Sequence, residues 1–142
     1  GRHGWLDEPI EALIHKLNLQ DQVQILTNVD AQDLPSIYTG ALALLLPSHY
    51  EGFGFPVLES MACGTAAIIS DKGSLPEIAG DAALQCNPNS TETIEEAISI
   101  VLTDSKLRKD LEQKGIKQSA RFTWQKCCQQ TLDVYNKVLQ ST

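Results

Sequence analysis

Two glutamates flank a glycine-containing turn in the stretch SHYEGFGFPVLESMACG, residues 48–64. Glu51 and Glu59 are separated by seven residues, and Gly52 and Gly54 lie between them. Ionised carboxylates accept hydrogen bonds from sugar hydroxyls. Glycine lets a backbone approach a ligand closely, and the start of a helix offers unpaired N–H groups to an anion. The pattern therefore indicates a site that holds sugar hydroxyls beside a phosphate.

A purely structural interpretation also accounts for this turn. We expect Glu59 in the first turn of the helix that follows the glycines, where the helix dipole stabilises an acidic side chain by about 0.3–1 kcal/mol. Glycines that follow a strand commonly form turns without any ligand. The residues of the turn by themselves leave both interpretations open.

The composition limits the classes of protein to consider. A chain of 142 residues is long enough for one domain with a core. The net charge of −7 argues against a nucleic-acid partner and against a polybasic membrane patch. No apolar run approaches the roughly 18 residues of a membrane span. The four cysteines show neither metal-ligand nor disulfide spacing. We therefore expect a cytoplasmic protein with reduced thiols and no metal site.

Short apolar runs alternate with helical periodicity, which predicts an α/β fold with a doubly wound parallel sheet. The run ALALLLP is uniformly apolar, so we expect a central strand that is covered on both faces. In such sheets ligands bind beyond the carboxyl ends of the strands, where the glycine turn lies. The predicted strands are QVQILT (22–27), ALALLLP (41–47), AAIIS (66–70) and AALQC (82–86).

Helix signals connect these strands. Pro35 is tolerated only in the first turn of a helix, which favours a helix start after Asp33 over one after Asp30. Pro56 likewise places a helix start at FPVLESMAC. A first helix after Asp7 should bury one apolar face, formed by Ile10, Leu13, Ile14 and Leu17.

From about residue 90 the pattern is wholly helical. Asn89 and Glu92 resemble a capping box, and the next helix should bury one face made of Ile94, Ala97, Ile98, Val101 and Leu102. SKLRKDLEQKGIKQSARF predicts a more polar helix. Thr123 should cap the last helix, whose apolar stripe from Trp124 to Leu139 predicts a core or an interface.

The longer stretch LLLPSHYEGFGFPVLESMACGTAAIISDKGSLPEIAGDAALQCNP closely resembles the donor-binding, C-terminal half of group 1 (GT4-type) GT-B glycosyltransferases. The signature of that family is a pair of glutamates separated by seven residues, which Glu51 and Glu59 match. The resemblance continues through GWLDEPI, DLPSIYTGALALLLPS and RFTWQKCCQQTLDVYNKV. It implies that residues 1–142 form a single, partial nucleotide-sugar-binding domain of Rossmann-like fold.

The resemblance implies a retaining, metal-independent hexosyl transfer without a cofactor. The donor would be a UDP- or GDP-hexose, and the acceptor a glycan or a lipid-linked glycan. By motif position, Glu51 would contact donor-sugar hydroxyls and stabilise the charge of an oxocarbenium-like transition state. Glu59 would bind the ribose hydroxyls. The resemblance also implies that backbone groups contact the sugar and the diphosphate, at Gly52, Phe53, Gly54 and Phe55. The exit of the first strand, at Asn28 and Val29, would lie beside the base.

Several family features lie outside this sequence. The Arg and Lys that neutralise the leaving diphosphate, the catalytic His and the acceptor site belong to segments upstream of GRHGW. The first two strands of the sheet, which would lie between QVQILT and ALALLLP, are also upstream. We therefore expect an N-terminally truncated fragment that is inactive alone and either self-associates, retains a partner segment or forms only part of the folded species. In the parent, the upstream domain would bind the acceptor, with peripheral membrane attachment as a further expectation.

Two other functions share this fold class. A non-catalytic nucleotide-sugar-binding or regulatory module would keep the glutamate pair and lack the upstream Arg and Lys. An NAD-dependent dehydrogenase domain would carry Gly-x-Gly-x-x-Gly after a strand, and GFGF does not continue in that way.

Overall fold

The computed structural model describes residues 7–140, and its contacts divide the chain into two compact units, Gly1–Leu34 and Pro35–Thr142. In the first unit, helix α1 (Asp7–Lys16) precedes irregular backbone. The strand prediction for QVQILT is wrong, because a strand requires a hydrogen-bonding neighbour and no described strand pairs with this segment.

The apolar face of α1 is not buried as predicted. Ile10 is 56% exposed, and Leu13 and Leu17 are each 53% exposed. No other helix or strand lies wholly within the described part of Gly1–Leu34, so in this unit the face has only irregular backbone beside it.

The second unit contains a parallel three-stranded sheet with strand order β1-β2-β3 among the described residues. Helices connect successive strands, as parallel pairing requires. The predicted α/β class, the strands at 41–47, 66–70 and 82–86, and the helix start after Asp33 are confirmed. In chain order the elements are α2 (Leu34–Gly40), β1 (Ala43–Leu46), α3 (Phe55–Ala62), β2 (Ala66–Ser70), α4 (Leu75–Ala79) and β3 (Ala83–Cys86).

Strand β2, and not β1, is the central strand of the described sheet. Every residue of β2 is buried, whereas Leu45 of β1 is 40% exposed. The prediction that ALALLLP is a central strand is therefore wrong among the described strands, since β1 has only β2 as a neighbour. Its two faces are nevertheless partly covered, by the contacts of Leu44 and Leu46 on one side and of Ala43 on the other.

Alternate residues of β2 face two separate apolar clusters, as the two-residue period of a strand dictates. Ala67 and Ile69 pack with α3 and α4, through Val57, Met61, Leu75 and Ala79. Ala66 and Ile68 pack with the helices that follow the sheet, through Ala97, Val101 and Leu111. The sheet is thus covered on both faces, as expected for a doubly wound fold.

Three helices complete the chain, α5 (Thr91–Thr103), α6 (Ser105–Ser119) and α7 (Trp124–Gln140). The cap of α5 is Ser90 and not Asn89, because the Ser90 Oγ accepts from the Thr93 N–H at 3.3 Å. Ala97 and Val101 are buried as predicted, but Leu102 is 57% exposed.

Helix α7 begins after Thr123 as predicted, and the Thr123 Oγ1 accepts from the Lys126 N–H at 3.2 Å. None of its residues is buried, and Trp124 is 73% exposed. Its apolar stripe therefore contributes nothing to the core of the described residues.

The turn between β1 and α3 depends on Gly54. Gly54 has a φ of 110°, in the region that favours glycine, and a Cβ atom there would lie 2.6 Å from the Leu75 Cδ2. Leu75 is fully buried at the start of α4. Gly52 has no positive φ and open space around its Cα atom, so the predicted unusual backbone angle is found at Gly54 alone.

We expect Gly54→Ala to lower the free energy of unfolding by about 2 kcal/mol, because alanine is strained at this φ and the Leu75 methyl group must move. The matched control Gly52→Ala should change it by less than about 0.5 kcal/mol. Urea unfolding followed by circular dichroism measures both values. Equal effects of the two substitutions would contradict this account of the turn.

Candidate functional site

The turn after β1 presents unpaired backbone donors. Within residues 7–140, no hydrogen bond uses the N–H groups of residues 52–55. The N–H of Val57 donates to the Gly54 carbonyl at 3.0 Å and closes the first turn of α3, where Pro56 has no N–H to offer. The N–H groups that could meet an anion therefore lie in the turn and at Phe55, the first residue of α3, and not further along the helix.

Glu51 is half-buried at the beginning of this turn, and a neutral hydroxyl orients its carboxylate. The Ser48 Oγ donates to the Glu51 Oε1 at 2.9 Å. Sequence reasoning missed Ser48, although a hydroxyl three residues before an acid in a turn is a local signal.

Ser74 holds the turn against α4. Its hydroxyl lies 2.9 Å from the carbonyl oxygens of both Glu51 and Phe53, so its single O–H is shared between these two acceptors. Because these carbonyls are engaged, the peptide units between them have a defined orientation. The sequence offered only a weak signal for Ser74, its place before the Pro-containing helix start in GSLPE.

Two phenylalanine rings pack together beside the turn. The ring centroids of Phe53 and Phe55 are 4.8 Å apart, and Phe122 meets Phe53 edge-on at 6.3 Å. The rings contact each other, while the backbone of the same residues carries the unpaired N–H groups.

Glu59 lies on α3, but not in the first turn of the helix, where the sequence predicted it. Helix α3 begins at Phe55, so Glu59 is in the second turn and not the first. The helix dipole acts mainly within the first turn, so it accounts poorly for this acid. The side chain of Glu59 is exposed and its Oε2 accepts a hydrogen bond of 3.0 Å from the Tyr38 hydroxyl.

Tyr38 is a site residue that sequence reasoning missed. It lies on α2, and its carbonyl accepts a hydrogen bond of 2.6 Å from Thr65 Oγ1. Burial, and then the hydrogen bond and charge of Glu59, raise the pKa of Tyr38 to about 12. The phenol therefore remains a protonated donor at neutral pH.

The predicted site residues are divided between the two units. Glu51, Glu59 and the backbone of residues 52–55 lie within Pro35–Thr142, whereas Asn28 and Val29 belong to Gly1–Leu34. Asn28 has a positive φ of 54°, and Val29 is half-buried. Their predicted place beside a nucleotide base stays a prediction.

A cavity of about 440 Å³ lies elsewhere, at the end of β3. Two of its polar groups are engaged within the protein, since the Asn87 N–H donates to the Thr93 Oγ1 and the Cys86 thiol donates to the Ile69 carbonyl. Burial raises the pKa of the Cys86 thiol, which favours its protonated form. The cavity contains none of the predicted donor-binding residues.

Comparison with known proteins decides the family. The model of the family described as "Glycosyl transferases group 1" matches residues 3–118. The chain belongs to the group 1 glycosyltransferases. The predicted family, and the predicted Rossmann-like fold of a GT-B C-terminal domain, are thereby confirmed.

Individual relatives of this group 1 glycosyltransferase chain support the same family assignment. It is 36% identical to the O-antigen chain mannosyltransferase B of Escherichia coli, over 95% of the chain and 35% of that protein. Sucrose-phosphate synthase from Thermosynechococcus elongatus matches with a TM-score of 0.85 at 28% identity, over 95% of this chain and 35% of that one. The C-terminal domain of a group 1 family protein from Francisella tularensis matches with a TM-score of 0.71 at 30% identity, over 81% and 60% of the two chains.

The chain spans about a third of the length of the mannosyltransferase that it matches. Among residues 7–140, no helix combines the length and the apolar character that crossing a bilayer requires.

The hydrogen bond between Tyr38 and Glu59 predicts that Glu59 raises the pH at which Tyr38 ionises. The absorbance difference between wild type and Tyr38→Phe should report phenolate formation with a midpoint near pH 12. Glu59→Gln should lower this midpoint part of the way to about 10, the value of free tyrosine, because burial remains. Glu95→Gln, an exposed acid on α5, is the control and should leave the midpoint unchanged.

Because this pKa is higher in the folded than in the unfolded protein, the stabilisation by Tyr38 is complete below about pH 10 and is lost as the pH rises to about 12. A wild-type midpoint at pH 10 would contradict the bond.

Proposed function

We propose that this chain is the donor-binding part of a longer, retaining GT4-type glycosyltransferase. The observation that carries the proposal is the pair Glu51 and Glu59, which flanks a turn with unengaged N–H groups in a domain of the group 1 family. The reaction is hexosyl transfer from a UDP- or GDP-hexose to a glycan or lipid-linked acceptor, without a metal ion.

In this proposal Glu51 acts on the reacting sugar. Its carboxylate is half-buried, which strengthens its electrostatic effect, and Ser48 orients it with a neutral donor. Glu51 would contact hydroxyls of the donor sugar and stabilise the positive charge that develops at the reacting carbon.

The nucleotide occupies the other half of the site. The Tyr38 bond engages one oxygen of Glu59, and Oε1 accepts from the ribose hydroxyls. The unpaired backbone N–H groups of residues 52–55 bind the diphosphate and the sugar, which suits a chain of net charge −7. Asn28 and Val29 contact the base.

Among hexoses, mannose is favoured. The relative that is 36% identical is a mannosyltransferase of O-antigen chains. By the same likeness, the acceptor is a growing glycan that the upstream domain binds.

Calorimetric titration of the full-length protein with UDP, GDP, UDP-glucose and GDP-mannose tests the nucleotide site. We expect Glu59→Ala to weaken nucleotide binding about ten- to a hundredfold, because hydrogen bonds to a charged group are lost. Glu95→Ala on α5 is a matched control and should bind as wild type does. Binding by Glu59→Ala equal to that of the control would contradict the ribose assignment.

We further propose that residues 1–142 alone do not catalyse transfer and self-associate. Leu45 of β1 and Leu13 of α1 leave apolar surface exposed, and β1 pairs on one side only among the described strands. Incubation with GDP-mannose and UDP-glucose should release no nucleoside diphosphate, and light scattering after size exclusion should show a dimer or larger species. A folded, active monomer would contradict both statements.

A further inference from the structure

A hydrogen bond between two helices links Glu59 to a residue 21 positions earlier in the chain. The hydroxyl of Tyr38 on α2 lies 3.0 Å from the Oε2 of Glu59 on α3. The backbone of Tyr38 is anchored as well, because Thr65 donates to its carbonyl at 2.6 Å and is itself only 3% exposed. Tyr38 is therefore held at its main chain and bonded through its side chain.

This bond restricts a side chain that would otherwise rotate freely. Glu59 is exposed, and an exposed glutamate samples many rotamers, each of which must be abandoned when the carboxylate binds a ligand. The hydrogen bond from the Tyr38 hydroxyl favours one orientation of the carboxylate before a ligand binds. A carboxylate accepts about four hydrogen bonds, so this bond leaves acceptor positions for a ligand.

The chemistry of the donor matters too. A lysine or arginine at the position of Tyr38 would neutralise Glu59 and compete with ligand hydroxyls for its charge. A phenol orients the carboxylate and leaves its negative charge available, so the remaining oxygen stays a strong acceptor.

We propose that Tyr38 is a positioning residue that presents the Glu59 carboxylate to the ribose 2′- and 3′-hydroxyls of a bound nucleotide. The inference rests on the proposed function, in which Glu59 binds the ribose. Thr65 supports this arrangement from the buried side, because it fixes the Tyr38 backbone without touching the ligand.

Tyr38→Phe tests the inference in the full-length protein, because it removes only the hydroxyl and keeps the ring and the Thr65 anchor. We expect UDP and GDP to bind about three- to tenfold more weakly, the usual effect of one lost hydrogen bond. The 2′,3′-dideoxy forms of the same nucleotides should bind to the variant and to wild type equally. The thermal midpoint should change little, since the lost bond is exposed.

A double-mutant cycle of nucleotide affinities distinguishes a positioning role of Tyr38 from a packing role. Tyr38→Phe should cause no further loss of affinity in a Glu59→Ala background, because the residue that it positions is absent. Tyr135→Phe, at an exposed tyrosine on α7, is the matched control and should bind all four nucleotides as wild type does.

The outcomes separate this inference from the proposed function. Wild-type affinity in Tyr38→Phe, together with weak binding by Glu59→Ala, would overturn the role of Tyr38 and leave the ribose assignment intact. Equal losses for ribose and dideoxyribose nucleotides would overturn it in favour of a packing role. Unchanged binding by Glu59→Ala would overturn the proposed function, and the inference with it.

Discussion

The backbone of Gly54 adopts a φ of 110°, and a methyl group of Leu75 occupies the space that a Cβ atom would need. The rest of the site depends on this close contact. Gly54 ends the turn after β1 and is the N-cap of α3, and Glu59 lies in the second turn of that helix, where its carboxylate accepts from Tyr38. Next to Leu75 in the chain, the hydroxyl of Ser74 lies within hydrogen-bond distance of two carbonyls of the same turn and shares its O–H between them. Leu75 and Ser74 thus tie the turn to the start of α4.

The electrostatics of the site follow from how its two acids are held. Glu51 is half-buried and accepts from Ser48, and Glu59 is exposed and accepts from Tyr38. Both partners are neutral hydroxyl donors, so each carboxylate is oriented while its charge stays available to a ligand. The intervening backbone contributes N–H dipoles instead of lysine or arginine side chains.

The strands of the sheet differ in how far they are buried. Strand β2 is buried on both faces, and its alternate residues serve the two halves of the core. Strand β1, which leads into the site, pairs only with β2 among the described strands, and Leu45 remains 40% exposed. The chain also spans about a third of the length of its mannosyltransferase relative. The turn at the exit of β1 therefore follows a strand that has one strand neighbour among residues 7–140.

The sequence by itself determined the features that rest on short-range signals. Apolar runs located three strands and Pro56 located the start of α3, because each signal acts within a few neighbouring residues. The seven-residue spacing of Glu51 and Glu59 pointed to the group 1 family, and the roles of the two acids stay a prediction. Only the tertiary structure decided which apolar faces are buried, since burial depends on what packs opposite. The faces of α1 and α7 have strong periodicity and remain exposed, and QVQILT forms no strand because no described strand pairs with it. Tyr38 and Ser74 reach the site from 21 to 23 residues away, and no pattern along a single chain specifies a contact across that distance.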